Sequence, residues 1–282
     1  MKRFASIMLV FAFMMLVSCG KTNLPDSKDK SGAEYSNLVD STSQSELGKI
    51  LLSCGIYQKQ IDIFFEDLNE YNTTVENVTL VQSGYKSFDL FPVSYDEDKL
   101  GELWNEKYPV FMGYNCKLTA FFLYKNFIHS KSVVSEAENE MGMMFDLSPE
   151  KAQTHFSEDD RKLFNTLYQA VEIDSEMTQR KCVDKLKSSW NEYGIAFDET
   201  DKIKHITVWT EDDYPDYHLE PVHAGLLFCQ NGKLCFLEKL SFVKPYQYSI
   251  FNNEKDLHTY LNNMFGEDKR LFIVMKNAQV IE

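Results

Sequence analysis

The residues with chemistry to offer are His223 and Glu238 on one hairpin, and Cys116 at a helix start more than a hundred residues earlier. Pro221 to Lys239 forms two apolar runs flanking Asn231-Gly232. A type I′ turn needs positive φ at both central residues, and Asn-Gly provides it, so the segment reads as a hairpin. A two-residue turn pairs Gln230 with Lys233, Leu227 with Phe236, Gly225 with Glu238 and His223 with Leu240. Side chains alternate faces along a strand, so His223 and Glu238 share one. They sit diagonally, roughly 7–8 Å apart at the backbone, within reach of long side chains. Gly225 stands opposite Glu238 and offers no side chain to obstruct it. A carboxylate there would hold the histidine in one tautomer and leave its other ring nitrogen as a base. The plain alternative is a polar pair at the hairpin's open end.

Cys116 is the nucleophile that such a base could serve. Asn115 is a good N-cap, and Leu118, Phe121, Phe122 and Lys125 follow at helical spacing. Cys116 therefore falls in the first turn, where free N–H groups and the helix dipole favour a thiolate. Its own backbone N–H is suited to a developing oxyanion. Tyr108 and Tyr114 are the upstream candidates for a second donor. The competing reading is a small hydrophobe packed at a helix start. His205, on a strand alternating from Ile203 to Thr210, is a rival base. Glu211, Asp216 and His218 lack metal-ligand spacing, and their loop reads as a solvated turn. No phosphate-cradling glycine motif and no serine elbow is present, so the sequence calls for no cofactor and no metal.

The elements that must position these residues change character along the chain. Helical spacing runs from Glu46 to Tyr71 with a break at Cys54-Gly55, and Asp96 caps a short helix reaching Trp104. Residues 131–195 read as polar and helical, an insertion between Cys116 and His223. One helix there opens at Ser157 in capping-box style, and another ends at Gly194. Met141, Met143 and Met144 read as core filler. From Lys202 the period changes to two. The hairpin follows, then a candidate strand around Pro245-Tyr246-Gln247, a helix from Glu254 to Phe265 and a final strand from Leu271 to Met275. Helices first and strands after imply an α+β fold, the N-terminal helical part packed on a C-terminal antiparallel β-sheet.

The 282 residues, 44% of them hydrophobic, suffice for one large domain. Aromatic content of 14% excludes a disordered acidic chain, and a net charge of −14 argues against nucleic acid as a partner. Met1-Lys2-Arg3 precedes an apolar run from Phe4 to Val17 that is too short to span a bilayer. Leu16-Val17-Ser18-Cys19-Gly20 then resembles the lipobox of bacterial lipoproteins. That resemblance implies a signal peptide over residues 1–18 and lipidation of Cys19. It also implies a lipid anchor on the extracellular face of the bacterial cell membrane. Cleavage would remove two positive charges and no acid, moving the net charge from −14 to −16. Residues 19–45, rich in Ser, Lys, Asp and Asn, read as a flexible tether to a single domain over 46–282.

A cysteine starting a helix, a long helical stretch, a histidine on a strand and a polar residue on the next strand resemble the papain-like superfamily, particularly NlpC-type cell-wall peptidases and amidases. The resemblance implies Cys116 as nucleophile, His223 as base and Glu238 as orienting residue. It also implies a papain-like fold over 46–282 and a peptide or cell-wall substrate. The segments Asn115 to Ala120, His223 through Lys239 and Pro245 to Gln247 are also similar to a family of low-GC Gram-positive lipoproteins whose domain has no assigned function. Two function classes follow: a cysteine hydrolase of the cell envelope, or a binding lipoprotein of the same fold without activity. A transporter's substrate-capture lipoprotein is disfavoured, because the chain lacks two similar α/β halves.

Overall fold

The computed structural model describes residues 32–134 and 139–282. The lipobox-like segment and Cys19 lie outside them. The order of elements is β1 (Ala33–Ser36), α1 (Ser41–Ser53), α2 (Gln58–Thr74), β2 (Lys86–Phe88), α3 (Glu97–Lys107), α4 (Cys116–Tyr124), β3 (Ile128–His129), α5 (Glu140–Leu147), α6 (Pro149–His155), α7 (Glu158–Leu167) and β4 (Val171–Glu172). Then come α8 (Gln179–Tyr193), β5 (Ala196–Phe197), β6 (Ile203–Asp212), β7 (His218–Gln230), β8 (Lys233–Lys239), β9 (Tyr246–Phe251), α9 (Glu254–Phe265), β10 (Phe272–Lys276) and β11 (Gln279–Ile281).

The fold is mixed α and β around an antiparallel sheet ordered β11-β10-β6-β7-β8-β9-β1-β2, with β4 pairing to β7. The period-two pattern sets its two faces. Leu226, Phe228 and Leu237 join a core built with α1 to α8, while Leu227, Phe236 and Phe251 pack under α9 through Leu257, Tyr260 and Leu261. Helix ends follow their caps. Asp96 accepts from Lys99 N, Ser157 and Asp160 form a capping box, and Gly194 ends α8 in the left-handed region.

Two expectations need correction. The segment read as a tether to residue 45 is shorter, because Ala33–Ser36 is a strand between β9 and β2 and α1 begins at Ser41. Four residues with two polar members carry no readable alternation; the strand exists because β9 offers it an open edge. Helices first and strands after therefore describes most of the chain, with β1 and β2 as N-terminal additions to the sheet. Met143 is exposed, while Met141 and Met144 are core.

The central hairpin has the expected register, Gln230 opposite Lys233 and Leu227 opposite Phe236. Asn231 and Gly232 both have positive φ. Gly225 has a different role from leaving room for Glu238. A Cβ there would lie 2.4 Å from Phe236 Cζ and 2.9 Å from the Leu237 carbonyl oxygen. The Phe236 ring covers this glycine and the carbonyl cannot retreat. Gly225→Ala is expected to cost about 1–3 kcal/mol by overpacking, measured as a lower urea midpoint with unchanged slope.

Candidate active site

The ladder between β7 and β8 ends at Leu226 opposite Leu237. On the other side of β7 a bulge pairs Val208 with His223 and Trp209 with Pro221, leaving Val222 as the extra residue. Bulges bend a strand and re-aim its side chains. The two strands therefore separate where His223 and Ala224 sit, and α4 packs against both. Asn115 accepts from Leu118 N at 2.9 Å, which starts α4 at Cys116 as its sequence requires.

The three expected residues come together. His223 Nε2 and Glu238 Oε2 are 2.7 Å apart, with both side chains fully buried. That bond leaves Nδ1 for the sulfur. Nδ1 is buried and makes no hydrogen bond, and Cys116 lies near enough to His223 to interact with it by charge. Burial pushes the thiol pKa up. The neighbouring His223 ring, the Lys117 ammonium and the Ala224 N–H outweigh it, and the net shift is downward. Burial likewise opposes charge on His223, but Cys116 and then Glu238 outweigh it, and its pKa is raised. The shared direction favours a thiolate–imidazolium pair. Ring stacking against Phe265 at 4.8 Å fixes the imidazole plane.

Sequence reasoning missed three further partners. The Ala224 N–H, beyond the last β7–β8 pair, lies near enough to the Cys116 sulfur to help hold its pKa down. Tyr260 donates to Glu238 Oε1 at 2.9 Å. Gln247 Nε2 donates in turn to the Tyr260 hydroxyl at 2.9 Å. Tyr260 falls on the apolar stripe of α9 with Leu257 and Leu261, where sequence alone gives it no polar role.

Other candidates are placed elsewhere. Tyr114 shares its hydroxyl with His155 Nδ1 at 3.1 Å, and His155 Nε2 meets Asp67 Oδ2 at 2.5 Å. Tyr108 donates to Glu70. Neither tyrosine is left to complete an oxyanion hole. Glu211 accepts from the Arg270 N–H, and His218 bonds the Asp216 carbonyl. Among the described residues no three His, Cys, Asp or Glu side chains converge as a metal site. Cys54, Cys116, Cys182, Cys229 and Cys235 are all free thiols.

His205 is not the base. It is buried, stacked on Tyr124 at 5.4 Å, and bonded through Nε2 to the Tyr168 hydroxyl at 2.8 Å. Burial drives its pKa down to about 3. Between that value and the ordinary histidine range near 6.5 the unfolded chain binds a proton that the folded chain does not. Stability therefore falls as pH falls across this window, by about 1.4 kcal/mol per unit for this group. Relative to His205→Gln, the wild type is expected to lose its advantage between pH 6 and pH 4, measured by denaturant titration at each pH.

Cys116 lies on the wall of an open cleft of about 540 Å³, whose sides include Lys117, Glu140, Glu220, Phe242 and Phe265. Its charges are largely paired, Lys117 with Glu140 and Lys244 with Glu97. A shallow apolar shelf adjoins it, sharing Glu140 and Phe242 and carrying exposed Val110, Met112, Met143 and Leu147. No helix of the described residues is long and apolar enough to cross a membrane.

No curated protein and no solved structure matches the chain. Residues 34–281, which contain every element of the site, match the family model described as "Domain of unknown function (DUF4300)", and the chain belongs to that family.

Proposed function

We propose that the chain is a surface-anchored bacterial lipoprotein, lipidated at Cys19, whose domain is papain-like and acts as a cysteine hydrolase on peptide or amide bonds of the cell envelope. The observation that carries this reading is the cysteine at a helix N-terminus paired with a buried histidine–carboxylate on a cleft wall. The Cys116 thiolate adds to the acyl carbon, and the oxyanion is met by the free N–H groups of the first α4 turn. The His223 imidazolium gives its Nδ1 proton to the departing amine, leaving a thioester on Cys116. Water then attacks the thioester and loses a proton to Nδ1. The carboxylic acid leaves and the ion pair is restored. The adjoining shelf supports a substrate with an apolar group beside the scissile bond.

The test is labelling by peptidyl acyloxymethyl ketones, read by mass spectrometry. Stoichiometric modification of Cys116 is expected, faster with an apolar than an acidic side chain and lost in His223→Ala. The second reading, a binding module without turnover, draws on the thiol being only 6% exposed. It wins if iodoacetamide reacts with Cys116 but no substrate-like electrophile does.

A further inference from the structure

We infer that a directed hydrogen-bond chain from the start of the domain fixes the tautomer of His223, with Asn37, Tyr95, Gln247 and Tyr260 as positioning residues. This rests on the reading of Cys116 and His223 as a reactive pair. The chain begins at a group that cannot reverse. The Val81 backbone N–H donates to Asn37 Oδ1 at 2.9 Å. The other half of that amide donates to the Tyr246 carbonyl at 2.9 Å, which can only accept. Backbone groups pin both ends, so the Asn37 amide has one orientation, and no choice of flip remains.

Everything downstream follows by elimination. The second N–H of Asn37 Nδ2 goes to the Tyr95 oxygen at 2.9 Å. Tyr95 sends its own hydrogen to Gln247 Oε1 at 3.0 Å. Gln247 Nε2 then donates to Ser249 Oγ at 3.0 Å and to the Tyr260 oxygen at 2.9 Å. Tyr260 passes its hydrogen to Glu238 Oε1, and Glu238 Oε2 accepts from His223 Nε2. When the ring is neutral, Nδ1 is left with its lone pair toward Cys116. Asn37, Gln247, Tyr260, Glu238 and His223 are at most 1% exposed, so water is not at hand to mend a reversed link. One reversal sets donor against donor or acceptor against acceptor, at about 1–3 kcal/mol. The opposite tautomer of His223 would aim N–H at the thiol and a lone pair at the carboxyl of Glu238. Glu238 remains the orienting residue; the network holds its carboxylate ionised and aimed at Nε2, and it ties the site to the segment after β1.

Nitrogen-15 NMR of His223 in the Cys116→Ala background, at a pH high enough to keep the ring neutral, reads the tautomer directly. The expected result is a single Nε2–H form. Tyr260→Phe removes the donor to Glu238. Gln247→Glu removes the donor to Tyr260 and draws that hydroxyl away from Glu238. Each should yield mixed tautomers. With Cys116 restored, each should also slow alkylation by iodoacetamide at pH 7 about tenfold and move its pH profile upward. If Gln247→Glu does not fold, Tyr95→Phe, which deletes one hydrogen at the far end, is read in its place. Folded variants with the wild-type tautomer and pH profile overturn the proposal. An inert Cys116 in wild type with a single Nε2–H form would overturn the hydrolase reading and leave the tautomer assignment standing.

Discussion

Replacing His223 by alanine is expected to slow iodoacetamide alkylation of Cys116 at pH 7 by about a hundredfold or more. The sign comes from the competition around the sulfur. Burial is the largest influence on this thiol and acts upward; His223 is the largest of those acting downward. Without the ring, Lys117 and the Ala224 N–H remain, but Lys117 is already engaged by Glu140. The thiol then rises above its ordinary value of about 8.5, and the thiolate fraction at pH 7 falls below a few per cent. The wild type should instead hold its alkylation rate well below pH 7, where free cysteines have lost theirs. Rates across pH 5 to 10, followed by mass spectrometry at Cys116 and at exposed Cys229 as an internal control, give both profiles. Coincident profiles for Cys116 and Cys229 in the wild type would sink the reactive pair.

Part of this arrangement is legible in the sequence, because local rules set the relevant positions. Asn231-Gly232 fixes a hairpin register, the register puts His223 and Glu238 on one face, and Asn115 starts a helix one residue before a cysteine. What was hidden depends on partners distant in sequence. The bulge beside Val222 arises from pairing with β6, and the end of the β7–β8 ladder at Leu226 leaves the Ala224 N–H near the sulfur. Tyr260 and Gln247 carry no local sign of their role, since an amphipathic helix and a short strand look the same whichever buried polar group they meet. The strand β1 was invisible for a related reason. Its stability comes from the edge of β9, and alternation over four residues is too short to register.

The second large effect is expected at Lys239, which no motif singles out. Its ammonium is buried and has no carboxylate partner among the described residues; it donates to the carbonyls of Ser241, Phe242 and Lys244 and lies 4.0 Å from the centre of the Tyr71 ring. Burial pulls its pKa well below the ordinary lysine value. Three carbonyl acceptors nevertheless match the three hydrogens of an ammonium, one more than a neutral amine offers. Tyr71 takes the remaining carbonyl of the segment, that of Val243. All four carbonyls from Ser241 to Lys244 are thus drawn inward, and the side chains of Ser241, Phe242 and Lys244 are turned to the cleft beside Cys116. Lys239→Met keeps the length and removes every donor. Three hydrogen bonds to a charged group are lost, each about 1.5–3 kcal/mol. The desolvation of the buried charge is recovered, and the freed carbonyls of this part-exposed segment regain water. The net cost is expected near 3 kcal/mol, a fall in melting temperature of roughly 6–12 °C for a domain of this size. The cleft wall should loosen with it. Proteolysis should begin between Leu240 and Pro245, and bulky alkylating reagents should reach Cys116 faster than in the wild type. If Lys239→Met melts with the wild type and resists protease equally, the ammonium does not organise this wall. The shape of the cleft would then have to come from the packing of Phe242 alone.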